Sequence, residues 1–182
     1  MNDLDALIAI EHAAFKVDRL SRRSFRHFLA SPNASLIVAE EDSKLAGYAL
    51  VFFPALSTIA RLYSIAVAPY ISRRGVGPLL LAAAEDAARR RRRRAMRLEV
   101  HEHNTRAIAR YEKSGYGLFG RYRKYYEDRA DALRFEKPLH LDVRRTRTAP
   151  MKKSDSRARI GFDSGQGGER GRRSRHSVRS RL

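Results

Sequence analysis

Ser64-Ile-Ala-Val-Ala-Pro-Tyr-Ile-Ser-Arg-Arg-Gly-Val-Gly-Pro-Leu-Leu-Leu81 changes character twice within a short span. An apolar strand runs into a basic turn, two glycines follow in Gly-x-Gly spacing, and a long Leu- and Ala-rich helix takes over until about Arg92. Backbone N–H groups converging at a glycine-bearing turn on a helix N-terminus make an anion site, and Arg73 and Arg74 add positive charge beside it. Gly75 and Gly77 carry no side chains, so phosphate oxygens can approach the backbone, and a pyrophosphate is the expected ligand. The same pattern also serves as a plain strand-to-helix turn, so taken alone it leaves both readings open. A Walker A loop is excluded because no Gly-Lys-Ser/Thr follows, and a dinucleotide fingerprint because the third glycine is missing.

Working outward, Asn2 or Asp3 caps a helix with Leu4, Leu7, Ile8, Ile10 and Phe15 at helical spacing. Ser21 caps a second, with Phe25, Phe28 and Leu29 on one face and Ser31-Pro32-Asn33 closing it. The period then changes: Ser35 to Glu40 and Leu45 to Phe53 read as strands joined by the short turn Glu41 to Lys44, an antiparallel hairpin. Thr58 to Ala68 is a third strand, Arg97 to His101 a fourth, and Asn104 to Ser114 a helix stopped by Gly115. Tyr116 to Tyr125 and Ala132 to Lys137 finish as two strands. This order predicts an α/β (α+β) fold in which helix-linked strands lie parallel and hairpin-linked strands antiparallel.

Charge is concentrated in two places. With 38 Lys+Arg against 20 Asp+Glu the chain carries +18, and residues 142–182 hold half of that excess with 13 Lys+Arg and 4 Asp+Glu. The run Arg89 to Arg94 supplies another +6, so the rest of the folded body is nearly balanced. Apolar residues thin out after Asp142, and a segment of that composition is expected to stay disordered, leaving 1–141 as the folded domain and 142–182 as a basic tail. At the C-terminal end of a helix the arginine run complements the macrodipole, with Glu85/Arg89 and Asp86/Arg90 as i,i+4 pairs. The other reading is a salt-sensitive contact with ribosomal RNA or an acidic partner. Cys 0 excludes disulfides, zinc–cysteine sites and a cysteine nucleophile. Apolar stretches such as Ala46 to Leu56 are far too short to span a bilayer, so a cytoplasmic protein with no membrane partner is expected.

A second motif follows: Leu98-Glu-Val-His-Glu-His-Asn104, then Ala107, Tyr111 and Gly115-Tyr116. Together with Arg-Arg-Gly-Val-Gly at the correct distance, this set resembles the GNAT N-acetyltransferases. Tyr125-Tyr126-Glu-Asp-Arg-Ala-Asp-Ala-Leu-Arg134 resembles the RimI-type protein N-alpha-acetyltransferase branch in particular. The likeness covers about residues 3 to 139. It implies a mixed, mostly antiparallel sheet with helices on both faces, splayed between the third strand and the Arg97 to His101 strand. It also implies transfer of acetyl from acetyl-CoA to an amine. The family's first strand has no counterpart ahead of the first helix. Two further departures stand in the turn: Ser72 replaces the usual Gln or Arg, and Pro78 removes one N–H that could face phosphate, so weaker cofactor binding than in relatives is expected.

The resemblance assigns roles residue by residue. Val67 matches the position whose backbone N–H polarises the thioester oxygen, and the Val76 amide is expected to face pyrophosphate. Tyr111 is the candidate proton donor to the departing thiolate: a phenol near pKa 10 stays protonated at neutral pH while a thiol near 8.5 leaves as the anion. Glu99 is the implied base. On a strand it shares a face with Arg97 and His101 while Leu98 and Val100 take the other. The plainer readings are a core aromatic for Tyr111 and a carboxylate paired with an arginine for Glu99. Asn104 is an N-cap that in the family also lies against the cofactor. His101 and His103 lack a third ligand group, so no metal site is expected. Tyr125 and Tyr126 stand where relatives gate the peptide groove.

The expected function is acetyl transfer to a protein N-terminal α-amine, with a ribosomal protein as a candidate acceptor and a ribosome or RNA contact through Arg89 to Arg94 and the tail. The alternatives are a GNAT acting on a lysine or a small amine, and a non-catalytic basic RNA-binding module, which would have no need of Glu99, Asn104 and Tyr111.

Overall fold

The computed structural model describes residues 3–15, 18–71, 75–140, 157–162 and 178–179. Helices α1 (Asp3–Ala14) and α2 (Arg22–Ala30) precede strands β1 (Ala34–Glu41), β2 (Lys44–Phe52) and β3 (Ile59–Val67). After a 3-10 turn (Pro69–Ile71) come α3 (Val76–Arg90), β4 (Ala95–His101), α4 (Thr105–Lys113), β5 (Gly117–Tyr122) and β6 (Ala132–Pro138). Among the described residues no helix is long and apolar enough to cross a membrane.

Local chemistry sets the element ends. The Ser21 hydroxyl accepts from the Ser24 amide at 3.1 Å and starts α2, and Asn104 Oδ1 does the same for the Ala107 amide at 3.1 Å in α4. Gly115, at φ +86°, turns the chain out of α4, with the Tyr116 amide bonded back to the Tyr111 carbonyl. At the end of α3 the same left-handed position falls on Arg92 (φ +54°), with the Arg93 amide donating to the Ala88 carbonyl. Asp42 and Ser43 both have positive φ, the geometry that a two-residue hairpin turn demands.

The first six strands run in the order β5-β6-β4-β3-β2-β1, and neighbours among these six are antiparallel except β3 and β4. That parallel pair holds only over Ile59 to Arg61 against Ala95 to Arg97 and then parts, as the resemblance implied. A bulge helps to part it. Between Leu50/Val51 and their partners Ser64/Leu62, Tyr63 is left over in β3, which increases the twist and reverses which side chains face each layer. Before the bulge Ala60 and Leu62 point to the α3 layer; after it Ile65 and Val67 do.

Helices pack on both faces. One layer joins α3 and Tyr111 of α4 to Ile37, Ala49, Val51, Met96, Leu98 and Phe135. The other joins α1 and α2 to Leu36, Val38, Tyr48 and Leu50. Glu11 is buried in the second layer, its carboxylate accepting from the Tyr48 hydroxyl and, at 2.7 Å, from the Leu20 amide. This fastens the start of α2 to α1.

Six residues of the segment expected to be disordered form a seventh strand, β7 (Arg157–Phe162), parallel to β1 over Leu36 to Glu41. A two-residue strand, β8 (Val178–Arg179), pairs with it in turn. Edge pairing uses main-chain donors and acceptors and asks little of composition, which is why a composition-based reading does not see it. The remainder of 142–182 lies outside the described residues.

Candidate active site

The pairing of β3 with β4 stops at Arg61, and beyond it Val67 stands at the end of β3 and Glu99 in the second half of β4. Val67 ends β3 opposite Gly47. The next amide, Ala68, donates to the Ala46 carbonyl at 2.8 Å, and successive N–H groups of a strand point to opposite sides, so the Val67 N–H faces away from β2 and into the gap. Gly47 makes this possible: a Cβ there would stand 2.6 Å from the Ala66 carbonyl oxygen.

The helix N-terminus that follows contains Gly75, Val76 and Gly77. Gly75 is the exposed N-cap of α3 at φ +76°, a left-handed conformation that excludes most side chains. Among the described residues nothing lies within 4 Å of where its Cβ would be. Val76 is buried and occupies the first helical position, where its N–H has no partner within the helix. At Gly77 the space of the missing Cβ is taken by Arg110 from α4, with Nη1 2.7 Å away. Ser72, Arg73 and Arg74 lie outside the described residues. The left-handed turn at Gly75 and the helix amides without partners inside α3 fit a phosphate-bearing cofactor such as coenzyme A.

Tyr111 and Glu99 approach the gap from opposite faces of the sheet. Tyr111 is buried in the α3 layer against Tyr116 and Phe135. Burial pushes its phenol up to about 12, with the Arg110 charge opposing, so it keeps its proton at neutral pH. Glu99 points to the α1/α2 side. Its carboxylate pairs with Arg61 Nη2 at 2.9 Å and lies 3.8 Å from Arg134 Nε. The arginine pairing considered for Glu99 is thus present, and it orients the carboxylate toward β3. Asn104 is exposed and its Oδ1 is committed to capping α4, which leaves its amide N–H groups as donors.

The β5–β6 loop closes the α1/α2 side of the gap. Arg61 Nη2 reaches the Tyr125 hydroxyl at 3.3 Å, and Tyr125 meets Tyr126 edge-on. The Tyr126 phenol is raised by burial, then by the charges of Tyr125, Asp18, Glu99 and Tyr111. His101 lies against the Tyr126 ring with centroids 4.8 Å apart. Its Nδ1 accepts from the His103 amide at 3.2 Å, so the proton sits on Nε2, 2.8 Å from Asp128. That hydrogen bond holds the Asp128 carboxyl below its ordinary range. His101 therefore anchors the loop.

The arginine run divides in two. Arg89 pairs with Glu85 and Asp86, Arg91 donates to the Pro32 carbonyl at 2.7 Å, and Arg93 donates to the Ser57 carbonyl, the last two lying over Phe53. Arg90, Arg92 and Arg94 are exposed.

Sequence reasoning missed Arg61, Arg134, Gly47 and Arg110. For Arg110 a signal existed: it shares a helix face with Ala107 and Tyr111, where a charge is out of pattern. The others are cross-strand neighbours set by register, for which one sequence holds no signal.

Residues 4–116 match the model of the acetyltransferase (GNAT) family. A protein of Bacillus subtilis (strain 168), assigned as a ribosomal protein bS18-alanine N-acetyltransferase, is 27% identical over 134 residues, covering 73% of this chain and 87% of its own. The crystal structure of the ribosomal-protein-S18-alanine N-acetyltransferase from Escherichia coli is 27% identical, with a TM-score of 0.68 over 81% of this chain and 95% of that one. An N-acetyltransferase from Thermoplasma acidophilum, crystallised with coenzyme A, shares the fold at 18% identity, with a TM-score of 0.60 over 72% of this chain and 91% of that one.

Proposed function

This chain belongs to the acetyltransferase (GNAT) family, and from that premise we propose that it acetylates the α-amine of a protein N-terminus, with a ribosomal protein as the acceptor. The observation that carries the reading is the gap between β3 and β4, with a buried protonated phenol on one side and an oriented carboxylate on the other. The names of the Bacillus subtilis and Escherichia coli relatives support the choice of acceptor. The catalytic body is residues 1–141.

Acetyl-CoA supplies a thioester activated for attack by an amine. The residues do the rest. The amides of Gly75, Val76 and Gly77, with Arg73 and Arg74, hold its phosphates. The Val67 N–H donates to the thioester oxygen, where negative charge develops. An incoming ammonium must lose a proton, and Glu99, aimed by its pair with Arg61, takes it through water. Tyr111 gives its own proton to the departing thiolate. Asn104 donates its amide to the cofactor arm. Arg61, Tyr125 and Tyr126 wall the acceptor groove, and bringing amine and thioester together in one gap lowers the entropic part of the barrier. Exposed Arg90, Arg92 and Arg94 offer phosphate contacts for docking on ribosomal RNA.

The test pairs two peptides of one sequence, one with a free α-amine and no lysine, the other with a blocked α-amine and one lysine. With acetyl-CoA and the full chain, mass spectrometry should find acetyl on the free α-amine alone. Acetylation confined to the lysine, or to a free polyamine offered in parallel, would sink the N-terminal reading.

A further inference from the structure

We propose that Arg110 is a phosphate-binding residue of this cleft, a cation that α4 delivers to the N-terminal end of α3. The inference rests on the acetyl-CoA reading above and concerns a residue that the reading did not use.

Three observations converge. The guanidinium lies over the first turn of α3, where a Cβ on Gly77 would stand 2.7 Å from Nη1 and 3.3 Å from Cζ, and the Val67 side chain borders the same space at 3.7 Å. Arg110 is therefore wedged between the strand end and the helix start that hold the candidate cofactor residues. Secondly, it has no ion-pair partner among the described residues. Its helix neighbours at i±3 and i±4 are Ala107, Lys113, Arg106 and Ser114, none of them acidic, and α3 carries no acid in its first turn. A half-buried guanidinium facing the positive end of a helix dipole, with no counter-charge among the described residues, is an arrangement that an anion relieves. Thirdly, Pro78 withholds the N–H that the third helical position would have aimed at that anion. Arg110 makes up the lost donor with a charged, forked one, the geometry suited to phosphate oxygens. Glycine at position 77 then has a defined purpose, since any Cβ would push the guanidinium away.

Binding of acetyl-CoA and of S-acetylpantetheine, which lacks all the phosphates, should be measured calorimetrically on the full chain and on Arg110→Leu, Arg110→Lys and Gly77→Ala. Arg110→Leu should weaken acetyl-CoA by roughly tenfold or more and leave S-acetylpantetheine unchanged. Arg110→Lys should recover part of the loss, which restoration of mere bulk would not do. Gly77→Ala should weaken acetyl-CoA in the same selective way with little change in melting temperature, because the group it displaces is the tip of a flexible side chain. Undiminished acetyl-CoA binding by a folded Arg110→Leu would overturn the proposal while leaving the acetyl-CoA reading intact, and equal losses for both ligands would overturn it as well. A wild-type chain that binds neither ligand would remove the acetyl-CoA reading and this inference with it.

Discussion

The two halves of the sheet are built on different terms. In β1 and β2 the burial is nearly continuous, from Ala34 to Ala39 and from Leu45 to Val51, because α3 covers one face and α1 and α2 the other. In β4 burial alternates, Leu98 and Val100 inward and Arg97, Glu99 and His101 outward, and β5 is largely exposed. The open face is covered by charge and ring contacts instead: Arg97 pairs with Glu136 at 2.5 Å, and Arg97 and Arg134 both lie over Phe119. A continuously apolar strand buried on both faces has no room for a carboxylate that must exchange protons. An alternating one has, and the candidate site lies where the rigid half gives way to the permissive one.

The sharpest break of that contrast is chemical. Glu99→Gln should lower kcat by roughly 10²- to 10⁴-fold with acetyl-CoA affinity retained, read by steady-state kinetics. If the loss appeared in melting temperature and not in kcat, the Arg61 pair would be structural and the permissive half would hold no base. Next in size, Leu50→Ala in the doubly covered half should cost roughly 2–5 kcal/mol. Phe119→Ala on the open half should cost less than about 2 kcal/mol, the range of exposed cation–π contacts. Denaturant titrations of the two variants decide it, and equal costs would erase the contrast. Smaller again, Arg92→Gly relieves a left-handed residue at the end of α3 and should stabilise the chain by up to about 1 kcal/mol without altering catalysis.

The smallest effect concerns how the rigid half responds to pH. Burial raises the Glu11 carboxyl above its ordinary range, against the hydrogen bonds from Leu20 and Tyr48. A raised folded pKa means that the unfolded chain releases this proton first, so the group's contribution is full below the unfolded value near 4.5 and is lost as pH rises through the folded one. Glu11→Gln can keep both hydrogen bonds, since its carbonyl still accepts from Leu20 and its amide can donate to the Tyr48 oxygen. The variant should therefore lose this part of the pH slope. Stability curves with the same slope in wild type and variant would show that Glu11 does not titrate in the folded range.

What could be read without coordinates is local in origin. The caps Ser21 and Asn104, the stop at Gly115, the Glu41 to Lys44 hairpin and the outward-facing Glu99 all follow from dihedral preferences and from periods of 2 and 3.6 residues. Family resemblance added the divergence of β3 from β4. Tertiary structure alone decided which partners those residues meet. Arg61 and Arg134 converge on Glu99 from strands far apart in sequence, because the registers of β3 and β6 against β4 bring them there. The two glycines of one motif stand in different surroundings, a left-handed turn at Gly75 and the Arg110 guanidinium beside Gly77. Half of an apparently uniform arginine run is spent on carbonyls, acids and Phe53. A chain encodes its own dihedrals in its nearest neighbours, whereas contacts between distant residues depend on how sheets and helices stack, and that is settled only when the whole core packs.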